Sequence, residues 1–339
     1  KPTFAELSPC SSGLGYSWAI DNVIEAYDDI ESFLKGRSLQ PVKIFQGSAT
    51  NLSQLNDKSL TTVVVDPPYA DNVQYSELAD FFYVWLKCTI GYQHPEWFST
   101  YLCDHTEEAI VNTSWFQNKE IASTEAKKYA NEFYQRLMTE TFKESHRILR
   151  DDGVLTVMFT HKKQEAWESL FNSLIKAGFT ITATWPVKTE SEHSLHQAKK
   201  NAAQSTVILI ARKRSIDADV GYYDSEMRSA IRNVAQKTAE RLQQEGLNPV
   251  DQLVGSFGPA IEVFSRHNEV KTDMGDPVGV DKALDEASKA VTDLRIQQLA
   301  KRGLEGVESE GRFYLLCWDV LQAAEFRFNE AKLLGHAVG

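Results

Sequence analysis

What this chain lacks narrows it first. Its four cysteines, at positions 10, 88, 103 and 317, are scattered and form no Cys-x-x-Cys pair. That excludes a disulfide framework and a cysteine zinc site, and reads as reduced, cytosolic thiols. No apolar run is long enough to span a bilayer and no signal-peptide pattern opens the chain, so the expectation is no membrane and a cytoplasmic location. Internal repeats and low-complexity tracts are absent. Positive charge is short: 36 Lys and Arg stand against 47 Asp and Glu, a net charge of −11. Nucleic-acid binding over the whole surface is disfavoured, because phosphate neutralisation needs Lys and Arg. Local basic patches remain at Lys162-Lys163, Lys199-Lys200 and Arg212-Lys213-Arg214.

What is present is ordinary for a globular protein, with 42% hydrophobic and 24% charged residues. A length of 339 residues suits one large or two ordinary domains. The chain begins at Lys1 and not Met, which points to a fragment or a processed chain. Patterning divides it into a helical or loop segment over 1–41, an alternating α/β region over 42–214 and a mainly helical region over 215–339.

The most informative stretch is Val63-Val64-Val65-Asp66-Pro67-Pro68-Tyr69. Three β-branched residues after Thr61-Thr62 predict a buried parallel strand. Pro67 and Pro68 end it, because neither can donate to a ladder and each fixes its own φ. An acid, a rigid backbone carbonyl and an aromatic ring are thereby held at the carboxyl end of a strand, where open α/β sheets bind ligands. The Asp66 carboxylate and the Pro67 carbonyl are two acceptors that can grip an amino group on a planar ring, and Tyr69 can stack on that ring. The chemistry this suits is attack by an exocyclic amine on a methyl donor. An ordinary Pro-Pro turn with a capping Asp and a packed Tyr fits the same residues.

The pattern around this corner predicts alternating elements. Apolar spacing at Ile20, Val23, Ile24, Tyr27 and Ile30 predicts a helix over Trp18 to Leu34. Lys43 to Gln46 reads as a short strand, with Ser48 or Thr50 as the N-cap of a following helix. A helix over Tyr75 to Leu86 places Leu78, Phe81, Phe82, Trp85 and Leu86 on one face, expected to pack into the core. His94 to Trp115 is aromatic and aperiodic, and reads as an insertion over the site's mouth. A long helix over Thr124 to Arg150 buries Tyr129, Phe133, Leu137, Phe142 and Leu149. Asp151-Asp152-Gly153 then turns the chain into a strand over Val154 to Phe159. A helix over Gln164 to Ala177 is capped by Gly178, and strands follow over Thr180 to Trp185 and Thr206 to Arg212. This is the second half of a doubly wound sheet. His161 sits at a strand's carboxyl end, a ligand position. His193 and His196 lie three apart without further ligands nearby, so no metal site is expected. Tyr223 to Glu245 and Asp281 to Ala300 read as helices of a C-terminal appendage. Gly13-x-Gly15 and Gly255-Ser256-Phe257-Gly258-Pro259 superficially resemble cofactor loops, but no convincing strand leads into either.

The tetrapeptide Asp66-Pro67-Pro68-Tyr69 resembles the catalytic motif of the amino-methyltransferases that act on N6 of adenine. The resemblance narrows to the DUF1156 group of prokaryotic adenine-specific DNA methylases through three further stretches. They are Ala70-Asp71-Asn72 running on to Leu86, Phe159-Thr160-His161-Lys162-Lys163 with Ala166-Trp167-Glu168, and Trp185-Pro186-Val187-Lys188-Thr189-Glu190. It covers about Gln46 to Arg214. It implies a mostly parallel, methyltransferase-like (Rossmann-like) sheet, S-adenosylmethionine as cofactor and DNA as partner, in a restriction or anti-phage setting. Asp66, Pro67, Pro68 and Tyr69 are then catalytic, and Gly47-Ser48-Ala49 contacts the cofactor's adenine. Ser48 stands where the family often has an acid. Tyr75, His161, Lys162, Lys199 and Lys200 are candidates for the substrate side. N4 of cytosine, an RNA base, or a non-catalytic DNA- or partner-binding role are the alternatives. The family's upstream Asp-Pro-Phe-x-Gly-Gly-Gly type segment and its zinc ribbon have no counterpart here. The donor site is therefore expected to be completed by an N-terminal region or a partner subunit.

Overall fold

A computed structural model describes residues 15–37, 42–45, 47–117, 121–161, 163–188 and 205–300, with a few isolated positions besides. The chain divides into two compact units, 1–46 and 47–339. The first holds helix α1, Tyr16–Leu34, ended by Gly36 in the left-handed region at φ 74°. The expected helix is there. The strand expected at Lys43 is not: 42–45 is exposed and outside any ladder.

The second unit is α/β. Its elements are β1 (Leu60–Val65), α2 (Tyr75–Ile90), α3 (Ser123–Ile148), β2 (Leu149–Phe159), α4 (Gln164–Lys176), β3 (Phe179–Lys188) and β4 (Ser205–Lys213). There follow β5 (Val220–Tyr222), α5 (Ser225–Gln244), α6 (Pro249–Ser265), β6 (Glu269–Lys271) and α7 (Val280–Ala300). The main sheet has the order β1-β2-β4-β3. β1 and β2 are parallel, with Val64 opposite Thr156; β4 runs antiparallel to both β2 and β3. Three of the four strands therefore share one direction, and β4 opposes them. β5 and β6 form a separate parallel pair.

Alternation along the strands sorts the two faces. Leu155, Val157, Phe159, Val207, Leu209 and Ala211 are buried, under helices whose Trp167 meets Phe159 edge-on at 4.9 Å and Phe257 at 6.2 Å. The opposite face carries Val64, Thr156, Met158, Ile208, Ile210 and Trp185, half-buried or exposed, with Val64 at 65% and Trp185 at 52%. Among the described residues the sheet is thus closely covered on one side, and β1 is an edge strand.

Several expectations change. Asp151-Asp152-Gly153 is no turn between elements: it lies inside β2, with Asp151 and Asp152 exposed and Gly153 buried, where the register shifts between the Leu60–Leu149 and Thr62–Val154 pairs. The helices α5, α6 and α7 fall in the same compact unit as the sheet. Gly255-Ser256-Phe257-Gly258-Pro259 is no loop but lies inside α6. A Cβ at Gly258 would fall 1.8 Å from Thr184 Cγ2, so this glycine is what lets α6 touch β3.

Candidate active site

The corner is built as β1 runs out. The chain leaves the sheet at Asp66, which is exposed, and Ala70 takes a left-handed φ of 50°. That conformation is uncommon for a residue with a side chain, and it persists only where neighbours over-determine it. They do so here. The Ala70 N–H donates to the Pro68 carbonyl at 3.1 Å, Asn72 N–H to Tyr69 at 3.0 Å, and Val111 N–H to the Ala70 carbonyl at 3.1 Å. Tyr134, fully buried in α3, adds its hydroxyl to the Pro68 carbonyl at 3.0 Å. Burial pushes the Tyr134 phenol up, so it remains a donor.

Tyr69 is half-buried. Its ring stands edge-on to Phe159 at 5.2 Å, and its hydroxyl donates to Asp66 Oδ1 at 2.5 Å. Burial first, and then that hydrogen bond, push the Tyr69 phenol well above its ordinary value. Tyr75, 50% exposed at the start of α2, is close enough to Tyr69 to add to that rise. Asp66 and Tyr69 are thus brought together on a backbone corner fixed through Pro68, with Tyr75 exposed at the start of α2.

His161 is buried at the end of β2. Its Nε2 meets Asp71 Oδ1 at 3.1 Å, and its Nδ1 accepts the Lys163 N–H at 3.0 Å. The Lys163 ammonium joins the other oxygen of Asp71. Hydrogen bonding from His161, followed by the Lys163 pair, holds the Asp71 carboxyl well below the usual carboxylate range. Lys162, Lys199, Lys200, His193 and His196 lie outside the described residues.

Gly47-Ser48-Ala49 begins a turn and not a helix. Ser48 Oγ sits 2.8 Å from Thr50 Oγ1 and accepts the Thr50 N–H at 3.3 Å. Further along, Glu144 receives the Leu52 N–H at 2.8 Å, and Arg147 donates to the carbonyls of Leu52 and Leu55. Among the described hydrogen bonds none joins Ser48 to the corner. The Arg212-Lys213-Arg214 patch is engaged within the fold: Arg212 donates to the Asp152 carbonyl, Lys213 pairs with Asp151, and Arg214 donates to the carbonyls of His267 and Ile175.

α2 reverses the expected packing. Leu78, Phe81, Phe82 and Trp85 are each more than 60% exposed, while the helix's polar side holds the insertion that follows. The Ser76 N–H donates to Glu108 at 2.9 Å, Asn112 to Glu77 at 2.8 Å, and Cys103 N–H to Asp80 at 2.8 Å. His105 bridges Ser76, at 2.8 Å, and Asp80, at 3.3 Å. The carboxylates Glu77, Asp80 and Glu108 make this side of α2 the better-partnered one, which apolar periodicity alone does not reveal.

No family model matches this chain, and no curated protein does. Its chemistry therefore rests on the corner itself. Asp66 offers an exposed carboxylate bonded to the hydroxyl of the half-buried Tyr69 ring, next to a backbone corner fixed at the Pro68 carbonyl. No group of three or more His, Cys, Asp or Glu suited to a metal ion occurs among the described residues.

Two residues of the corner were not singled out in the sequence. Tyr134 follows Ala126 and Ala130 at four-residue spacing, and small residues on one helix stripe before an aromatic signal a close approach. Asp71 lies within the resembling motif, but nothing in its neighbours points to His161, 90 positions away.

Proposed function

We propose that this chain carries the target-amine site of an S-adenosylmethionine-dependent methyltransferase acting on N6 of adenine in DNA. The observation that carries the reading is the placement of Asp66 and Tyr69 in contact at the carboxyl end of β1, on a backbone corner held by four hydrogen bonds. The sheet supports it: three co-directional strands with the opposed β4 inserted between β2 and β3 suit the second half of a doubly wound, methyltransferase-like fold.

In this reading Asp66 and the Pro67 carbonyl accept hydrogen bonds from the target amino group, which turns the nitrogen lone pair toward the donor methyl. Tyr69 stacks on the flipped adenine. The methyl group moves by direct displacement from sulfur to nitrogen, without a covalent enzyme intermediate. Positioning and electrostatics then supply most of the acceleration. Bound S-adenosylmethionine supplies the electrophilic methyl; Ser48 is the candidate contact for its adenine, and a glycine-rich segment for its amino-acid end is supplied from a region or partner outside this sequence.

One observation favours a second reading, a non-catalytic DNA- or partner-binding module. The glycine segment at Gly255 is helical and packed, so it offers the donor no cradle. Titration with S-adenosylmethionine, followed by methyl incorporation into DNA and into RNA with digestion to nucleosides, separates the two readings and identifies the methylated base.

A further inference from the structure

His161 occupies a position where sheets of this kind bind ligands, yet both of its ring nitrogens are already engaged. The Lys163 N–H points at Nδ1 at 3.0 Å, so Nδ1 is an acceptor. In the neutral ring the proton is then on Nε2, which faces Asp71 Oδ1 at 3.1 Å and donates to it. The Lys163 ammonium takes the other carboxylate oxygen, and the His161 carbonyl accepts from Trp167 Nε1 at 2.9 Å. Asp71 lies two residues beyond Tyr69 and directly after the left-handed Ala70. The Phe159 ring stands between His161, stacked at 6.5 Å, and Tyr69, edge-on at 5.2 Å. The loop after β1 and the loop after β2 are therefore joined twice, once through the carboxylate and once through an aromatic row.

We infer that Asp71, His161 and Lys163 form a brace that sets the position of the Asp66–Tyr69 corner, and that His161 is a positioning residue rather than a group touching the substrate. This rests on the amine-methylation reading given above. A ring buried and bonded at both nitrogens has no lone pair or proton left for a base, whereas loss of its grip on Asp71 frees the turn that carries Tyr69. Misplacement of a reacting group by about 1 Å costs on the order of 100-fold in rate.

The test uses the full chain in two measurements. In methyl transfer, His161→Phe lowers kcat about 10- to 100-fold with little change in KM for DNA. His161→Gln, which keeps a donor for Asp71, recovers most of the loss. The Asp71→Ala/His161→Phe pair loses no more than the worse single variant, because each acts through the other. A loss expressed in KM, no recovery in His161→Gln, or additive losses overturn the brace. The second measurement is nitrogen-15 NMR of the His161 ring, which needs no turnover. The brace predicts a neutral Nε2–H tautomer that shifts in Asp71→Ala. An Nδ1–H tautomer, or a ring indifferent to Asp71, overturns it. Wild-type protein with the predicted tautomer but no methyl transfer would instead count against the methylation reading alone.

Discussion

The hydroxyl of Tyr69 donates to the carboxylate of Asp66 at 2.5 Å, so the two residues of the proposed amine site are bonded to each other. On the amine-methylation reading, the acceptor proposed for the target amine is occupied by the hydroxyl of the ring proposed to stack on it. On the same reading, a base entering the site would exchange the phenol for its own amino group at Asp66 and release the ring to lie on the base's face.

This exchange gives the first prediction. Tyr69→Phe keeps the ring and frees Asp66, and retains much of the activity. Tyr69→Ala loses the stack, about 1–3 kcal/mol, or roughly 5- to 150-fold in kcat/KM. Steady-state kinetics on both variants decides it. Equal, near-complete loss in both would assign the function to the hydroxyl.

The second concerns Gly258. A methyl group there meets Thr184 Cγ2 at 1.8 Å, which neither backbone can accommodate without moving. Gly258→Ala is expected to destabilise the chain by about 1–3 kcal/mol, the usual range for overpacking. Adding Thr184→Ser removes the clashing methyl and restores part of the loss in denaturant unfolding. An unchanged midpoint in the single variant contradicts the close contact of α6 with β3.

How much of this was legible in the sequence follows from the range of the interactions. The end of β1 at Asp66, the α4 cap at Gly178 and the presence of β2, β3 and β4 come from local pattern; the burial expected for Val63-Val64-Val65 does not hold, because β1 is an edge strand and Val64 is 65% exposed. The α2 face did not follow that rule. Leu78, Phe81, Phe82 and Trp85 have core-like spacing, but spacing cannot say that Glu77, Asp80 and Glu108 pin the other side first. The register shift around Asp151 was hidden because Asp-Asp-Gly carries a turn signal whether or not a ladder resumes on both sides of it. Gly255 and Gly258 read as loop residues because a packing glycine and a turn glycine look alike without the partner helix or strand.

A third prediction follows from Asp71. Its folded-state pKa lies below the unfolded value of about 3.9, so its interactions stabilise the fold fully above that value. The contribution is lost as pH falls through the folded value. Asp71→Asn should therefore be less stable than wild type at neutral pH, by about 1 kcal/mol or less given a partly exposed and screened carboxylate. The difference should vanish in strong acid. A gap that persists at low pH would assign the effect to shape and not to charge.

The fourth concerns the donor. With Gly255–Pro259 inside α6, that segment offers no open backbone amides to the methionine end of S-adenosylmethionine. Losing a few kcal/mol of contacts moves a micromolar ligand toward millimolar, since about 1.4 kcal/mol is tenfold. Calorimetry on this chain should give weak heat or none at micromolar donor. Micromolar affinity would place a complete donor site within the chain.

The most direct test is transfer of tritiated methyl from S-adenosylmethionine, at millimolar donor, to duplex DNA that is then digested to nucleosides, with wild type and Asp66→Ala side by side. The exposed strand-end position of Asp66 predicts that the variant folds normally. The account predicts label in N6-methyldeoxyadenosine with wild type and none with Asp66→Ala. Label in another nucleoside, equal label from both proteins, or no label at all would contradict it.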